Sequence, residues 1–269
     1  MPLFHLVLVA IIQGVTEFLP ISSSGHLVLL PLLTGLEDQG LLIDIAAHVG
    51  TLFAVMLFFW SDVREAIFGL GRLARGKIDS QGAWLALCMI IATVPVVIAG
   101  VVLKLTGLSD ALRTIEVIGW TTLIFGIALY IADRRPGQTK TQKNLSLKDA
   151  VTLGLWQMLA LIPGTSRSGV TITGALTLGY TRTDGTRIAM LMSIPTIIGS
   201  AVLASTDAYV TVFPWRDVVI VIVLSFLAAL AALALMMRLL RSVSFTPYVI
   251  YRLALGVVLL SLYYSGAFT

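Results

Sequence analysis

The stretch Gln13-Gly14-Val15-Thr16-Glu17-Phe18-Leu19-Pro20-Ile21-Ser22-Ser23-Ser24-Gly25-His26 stands between two apolar runs, Leu3 to Ile12 and Leu27 to Leu33. An acid, three successive hydroxyls and an imidazole are costly in an apolar medium, so such a cluster points to a functional site. Each flanking run is too short for a hydrocarbon core that needs about 20 apolar residues. The Pro, Gly and Ser content of the linker breaks regular structure. The two runs therefore predict a re-entrant helical hairpin, its irregular tip at membrane depth and buried in protein or lining a wet cavity.

The rest of the chain supports a membrane setting. Of 269 residues, 58% are hydrophobic and 12% charged, and the mean hydropathy is +0.97, which excludes an ordinary soluble domain. The leading segment lacks the basic start and small-residue cleavage pattern of a cleavable signal, so it is expected to persist. The single Cys88 excludes an internal disulfide and a multi-cysteine metal site and reads as a small buried hydrophobe. No nucleic-acid motif is present. Full-length spans are predicted over Leu41 to Trp60, Gly82 to Leu103 with a kink at Pro95, Ile115 to Ala132, Ile188 to Leu203, Val218 to Met237 and Tyr248 to Tyr264. The loop from Ser61 to Gln81 and the one from Asp133 to Asp149 are rich in Lys and Arg. Trp60, Trp120, Trp156 and Trp215 fall near span ends, as interface anchors do, and His5 reads as interfacial.

A second polar turn, Pro163-Gly164-Thr165-Ser166-Arg167-Ser168-Gly169, lies between Leu147 to Ile162 and Val170 to Leu178 and predicts a second re-entrant hairpin. Gln13 to Gly25 and Gln157 to Gly169 have the same separation, each with a proline inside and Ser-Gly at its close. The expected fold is an all-α polytopic membrane protein, one membrane domain over 1–269, built from repeats at 1–135 and 146–269. Each repeat is a hairpin plus three transmembrane helices, an odd number, so the second copy is inverted relative to the first. Placing Ser61 to Gln81, Asp133 to Asp149, Gly179 to Arg187 and Arg238 to Thr246 on the cytoplasmic side collects 13 of the 18 lysines and arginines there. The hairpin tips then enter from opposite faces and meet in one pocket.

Gln13 and Glu17, four apart on one helical face, are hard oxygen ligands suited to Mg²⁺ or Ca²⁺, which commonly combine few protein carboxylates with phosphate oxygens. Arg167, a charged planar fork beside Ser166 and Ser168 at a Gly-rich turn, fits a phosphate cradle. Thr171, four residues on, is expected to donate to the same phosphate. His26 can serve as base or acid and Ser23 or Ser24 as nucleophile, with Ser22 beside them. The competing structural readings are helix-packing serines and a plain Glu17–Arg167 ion pair. Asp44 and His48 share a helical face and either line the pocket or satisfy one another. Arg252, alone in the last span, hydrates a cavity or pairs with Glu116 and is assigned no role.

These blocks resemble the undecaprenyl-diphosphatase family, bacterial membrane enzymes associated with bacitracin resistance. The resemblance rests on Gln13 to His26, on Asp44-Ile-Ala-Ala-His48-Val-Gly-Thr and on Pro163-Gly-Thr-Ser-Arg-Ser-Gly-Val-Thr171. It implies that Glu17, Ser23, His26 and Arg167 are catalytic, that Gln13, Ser22, Ser24, His48, Ser166, Ser168 and Thr171 bind substrate, and that Gln13 and Glu17 hold a divalent cation. The family motif has Glu or Gln at the position of Gln13, and Gln here removes one metal charge. The implied reaction is hydrolysis of undecaprenyl diphosphate to the monophosphate and phosphate, recycling the carrier for cell-wall synthesis. The implied location is the bacterial inner membrane, with a pocket open to the outer, periplasmic face. Membrane lipids are the expected surroundings and a second copy of the chain is a candidate partner. An isoprenoid-lipid transporter or flippase is the rival reading, since inverted repeats with a midplane site also serve transport.

Overall fold

The computed structural model describes residues 1–35, 39–205 and 214–266. The described residues are helical apart from turns and one isolated bridge between Lys140 and Tyr180. In chain order the helices are α1 (Leu3–Thr16), α2 (Ser23–Thr34), α3 (Leu41–Phe58), α4 (Trp60–Leu73), α5 (Gln81–Thr106), α6 (Leu108–Ala111), α7 (Ile115–Asp133), α8 (Leu147–Met158), α9 (Arg167–Thr177), α10 (Arg182–Ser205), α11 (Trp215–Leu239) and α12 (Thr246–Tyr264). Six of them, α3, α5, α7, α10, α11 and α12, are long and apolar enough to cross a membrane. The chain is an all-α polytopic membrane protein.

Both short-armed segments form hairpins. The first is α1 and α2; the second is α8, a single 3₁₀ turn at Leu159–Leu161, and α9. The arm α9 is central: every residue from Ser168 to Leu176 is buried, and it packs on α7, α8 and α10. Helix α11 covers α1 and α3 on the other side. Apolar side chains face outwards on all six long helices, among them Phe53, Ile98, Ile124, Val202, Val223 and Val257. That is the outward face expected of a chain whose solvent is lipid.

Three expectations need correction. The Ser61-to-Gln81 segment is not simply a loop: its first part continues as α4, which buries Asp62, Val63 and Gly69 and exposes Trp60, Ile67 and Phe68. Asp62 is buried because it accepts both Nε (2.9 Å) and Nη2 (2.7 Å) of Arg187. His5 is buried rather than interfacial. Trp156 is not an anchor at a span end but packs on α9, over Gly174.

Helix α11 approaches α3 so closely that a Cβ at Gly50 would stand 2.4 Å from the Ile222 carbonyl oxygen. Gly71 on α4 has open space around it. Gly50→Ala is therefore expected to destabilise the fold by about 1–3 kcal/mol through overpacking. Gly71→Ala should leave stability unchanged or raise it by up to about 1 kcal/mol, because alanine costs less chain entropy in a helix. Unfolding curves of the two variants in detergent check this opposition of sign, and equal effects would refute it.

Candidate active site at two facing hairpin tips

Each tip turns through a residue that L side chains seldom tolerate. Ser22 (φ 72°) and Ser166 (φ 69°) are the only non-glycine residues with positive φ among the described residues. Each stands directly before its return helix, nine residues after Gln13 or Gln157. Strain of this kind costs about 1–3 kcal/mol per residue and persists where the surroundings over-determine it. Gly164 (φ 86°) makes the second turn possible, and a Cβ there would meet the Thr121 hydroxyl at 2.2 Å.

The tips meet. Arg167, the first residue of α9, donates from Nη2 to Glu17 Oε1 at 2.6 Å, and its guanidinium lies 6.0 Å from the centroid of the Phe18 ring. The other carboxylate oxygen, Oε2, accepts from Gln13 Nε2 at 2.7 Å and from the Ser23 hydroxyl at 3.2 Å. His48 Nε2 is 3.7 Å from the same oxygen. Glu17 is thus the hub, with its side chain only 8% exposed, against 13% for Arg167 and 36% for His48. Both return helices begin at this junction, so the positive ends of two helix dipoles face it.

Two buried polar atoms of the junction have no partner: Gln13 Oε1 and Arg167 Nη1. An unmet acceptor and an unmet donor, each worth about 1–3 kcal/mol when desolvated, sit on either side of one carboxylate. That pattern suits a ligand that brings both negative oxygens and a cation. No group of three or more His, Cys, Asp or Glu able to hold a metal occurs among the described residues. A protein-only cage is therefore absent there, while Gln13 Oε1 and Glu17 fit a cation completed by phosphate oxygens and water.

The remaining predicted residues fall into two groups. His48 lines the junction: its Nδ1 hydrogen-bonds the Asp44 carbonyl at 2.8 Å, and the Asp44 carboxylate accepts from Gln39 instead. Thr171, expected to donate to a phosphate, is fully buried and donates to the Arg167 carbonyl at 2.7 Å. Ser168 donates to the Leu19 carbonyl (3.0 Å) and so ties one tip to the other, while Ser166 caps α9 by accepting from Gly169 N. All three hydroxyls bond the backbone that shapes the tips. Ser22 is buried, and its carbonyl engages His26 Nδ1 at 2.7 Å. The side chain of Ser24 lies outside the described set.

His26 does not face Ser23. Its Nε2 lies 2.6 Å from the Tyr251 hydroxyl, with the two rings stacked. The proton acceptor within reach of Ser23 is Glu17. Sequence reasoning also left Arg252 without a role, and its supposed partner Glu116 accepts from Tyr264 instead. Arg252 is completely buried and donates to the carbonyls of Pro20 and Thr122, and from Nη2 to those of Gly164 and Thr165. Thr121 adds a bond to the Pro163 carbonyl (2.6 Å). An arginine in an apolar span was the available signal; the carbonyls that hold it come from three segments remote in sequence.

The family model described as bacitracin resistance protein BacA matches residues 6–258. An undecaprenyl-diphosphatase of Ruegeria pomeroyi is 64% identical over 267 residues, covering 98% of this chain and 100% of that protein. Another, of Jannaschia sp., is 61% identical over 267 residues with the same coverage. A more distant one, of Teredinibacter turnerae, is 41% identical over 261 residues, covering 96% of this chain and 98% of its own.

Proposed function

This chain belongs to the bacitracin resistance protein BacA family, and from that premise we propose that it hydrolyses undecaprenyl diphosphate to undecaprenyl phosphate and inorganic phosphate. The observation that carries the proposal is the pair of unmet polar atoms, Gln13 Oε1 and Arg167 Nη1, beside the Glu17 carboxylate. A terminal phosphate would accept from Arg167, and Gln13 and Glu17 would be the residues that hold a Mg²⁺ or Ca²⁺ beside it. When bound, the cation neutralises part of the diphosphate charge.

Arg167 and the two helix N-termini hold the terminal phosphoryl group and stabilise the charge on its equatorial oxygens. Ser23 attacks that phosphorus and passes its proton to Glu17 Oε2, 3.2 Å away. The Ser23 O–P bond forms, the bridging P–O bond breaks, and undecaprenyl phosphate leaves. Water then hydrolyses the phosphoserine: Glu17 returns its proton to the Ser23 oxygen and both water protons leave with the phosphate, while His26, bonded to the Ser22 carbonyl, holds the turn that carries Ser23. Direct attack by water on the same phosphorus is the competing route, and trapping of a phosphoserine distinguishes the two. The isoprenoid tail lies among the helices, in the inner membrane, with the pocket open to the periplasmic side. The matching strained serines support reading the two hairpins as one motif used twice in opposite sense.

The test is phosphate release from undecaprenyl diphosphate by detergent-purified protein, with Mg²⁺, with Ca²⁺ and with EDTA. Release that requires a cation supports the reading; none from folded protein refutes it. Gln13→Glu should lower the cation concentration for half-maximal release by about tenfold, since the added carboxylate strengthens a hard-cation site. An unchanged cation titration would remove Gln13 from the cation.

A further inference from the structure

We propose that α12 is the positioning element of this site: Arg252 sets the separation of the two hairpin tips, and Tyr251 fixes the ring and tautomer of His26. The proposal rests, for its activity arm, on the hydrolase reading above.

Arg252 makes no ion pair with a carboxylate among the described residues. Its bonds run to Pro20 in the first tip (3.3 Å), Gly164 and Thr165 in the second (3.1 and 3.0 Å) and Thr122 on α7 (3.2 Å). The irregular carbonyls of a re-entrant turn have no water to bond to at membrane depth, so each needs a donor from the protein. A rigid guanidinium supplies donors in several directions in one plane, which an ammonium does not. Space is reserved for it: a Cβ at Gly169 would stand 2.8 Å from Nη1, and one at Gly126 would stand 3.2 Å from its Cβ. The uncompensated cation also adds positive potential to a site that takes a polyanion.

Tyr251 is the preceding residue and reaches the first return arm. The Ser22 carbonyl can only accept, so in a neutral imidazole the proton sits on Nδ1 of His26 and Nε2 accepts from the Tyr251 hydroxyl. The rings stack with centroids 5.6 Å apart and planes 5° apart, which leaves the imidazole one orientation. A single helix thus holds the separation of the tips with one residue and the orientation of the imidazole with its neighbour.

Three variants test this, Tyr251→Phe, Arg252→Lys and Arg252→Gln, beside wild type in the same detergent. Tyr251→Phe should fold normally, lose about tenfold in kcat with KM nearly unchanged, and move the His26 Nε2 resonance in ¹⁵N NMR towards a ring nitrogen without a hydrogen bond. A wild-type spectrum and wild-type kcat in Tyr251→Phe would overturn the Tyr251 assignment. Arg252→Lys and Arg252→Gln should remain folded, with kcat lowered at least about tenfold and Lys recovering more activity than Gln. Turnover within twofold of wild type in either variant, or loss of folded protein in both, would overturn the Arg252 assignment. Wild-type protein that released no phosphate would refute the hydrolase reading alone, because the NMR comparison does not depend on turnover.

Discussion

Arg167→Ala is expected to lower phosphate release from undecaprenyl diphosphate by about 10³-fold or more, the scale on which an arginine at a transferring phosphoryl group acts. The Nη2 group now rests on Glu17 Oε1 and Nη1 has no partner, so the residue arrives at the substrate with one donor already free. Its removal also strands the Glu17 carboxylate, and breaking a buried pair costs about 3–5 kcal/mol. Loss of activity by unfolding must therefore be separated from loss of the phosphate contact. The double variant Glu17→Gln/Arg167→Ala does this, since it leaves neither charge unpaired. Its unfolding midpoint should return towards wild type while its activity stays absent. Arg167→Lys should keep charge but lose the fork, recovering only a small part of the rate. Near-normal turnover in Arg167→Ala would overturn the site.

Glu17→Gln should abolish measurable turnover, a loss of at least about 10²-fold, for a different reason. Glu17 meets Arg167, Gln13, Ser23 and His48 together, so the amide keeps the volume but turns one accepting oxygen into a donor and lacks the charge that takes a proton from Ser23. The same charge repels a diphosphate. A non-hydrolysable methylene-bridged lipid analogue should therefore bind the variant at least as tightly as it binds wild type without added cation. Measured binding and turnover then move in opposite directions. If analogue binding and turnover both stayed at the wild-type level, Glu17 would be a structural partner of Arg167 and nothing more.

The sequence showed polar clusters in apolar chain because their transfer cost is local and additive. Gln13, Glu17, Ser23 and Arg167 could be picked out without coordinates, and their grouping followed from two turns too polar for lipid. It did not show which hydroxyls remain free. Ser166, Ser168 and Thr171 resemble a phosphate cradle on paper, but each donates to or accepts from the backbone that shapes the tips. A hydroxyl serves helix cap, carbonyl or ligand equally well, and only the neighbouring backbone decides among them. Helix α4 escaped notice for a related reason: Asp62 reads as solvated until Arg187, 125 residues away, is found against it.

The sequence by itself determined that this is a polytopic helical membrane protein, because a hydrocarbon solvent admits few backbone solutions and hydropathy reads them directly. It also marked out the two polar turns that meet in the structure. Tertiary structure alone decided that Glu17 is the hub, that His26 turns to Tyr251 rather than to Ser23, and that Arg252 joins both tips. Those outcomes depend on angles and separations of a few ångströms between segments up to 232 residues apart, and a pattern of residue types along the chain does not encode such distances one by one.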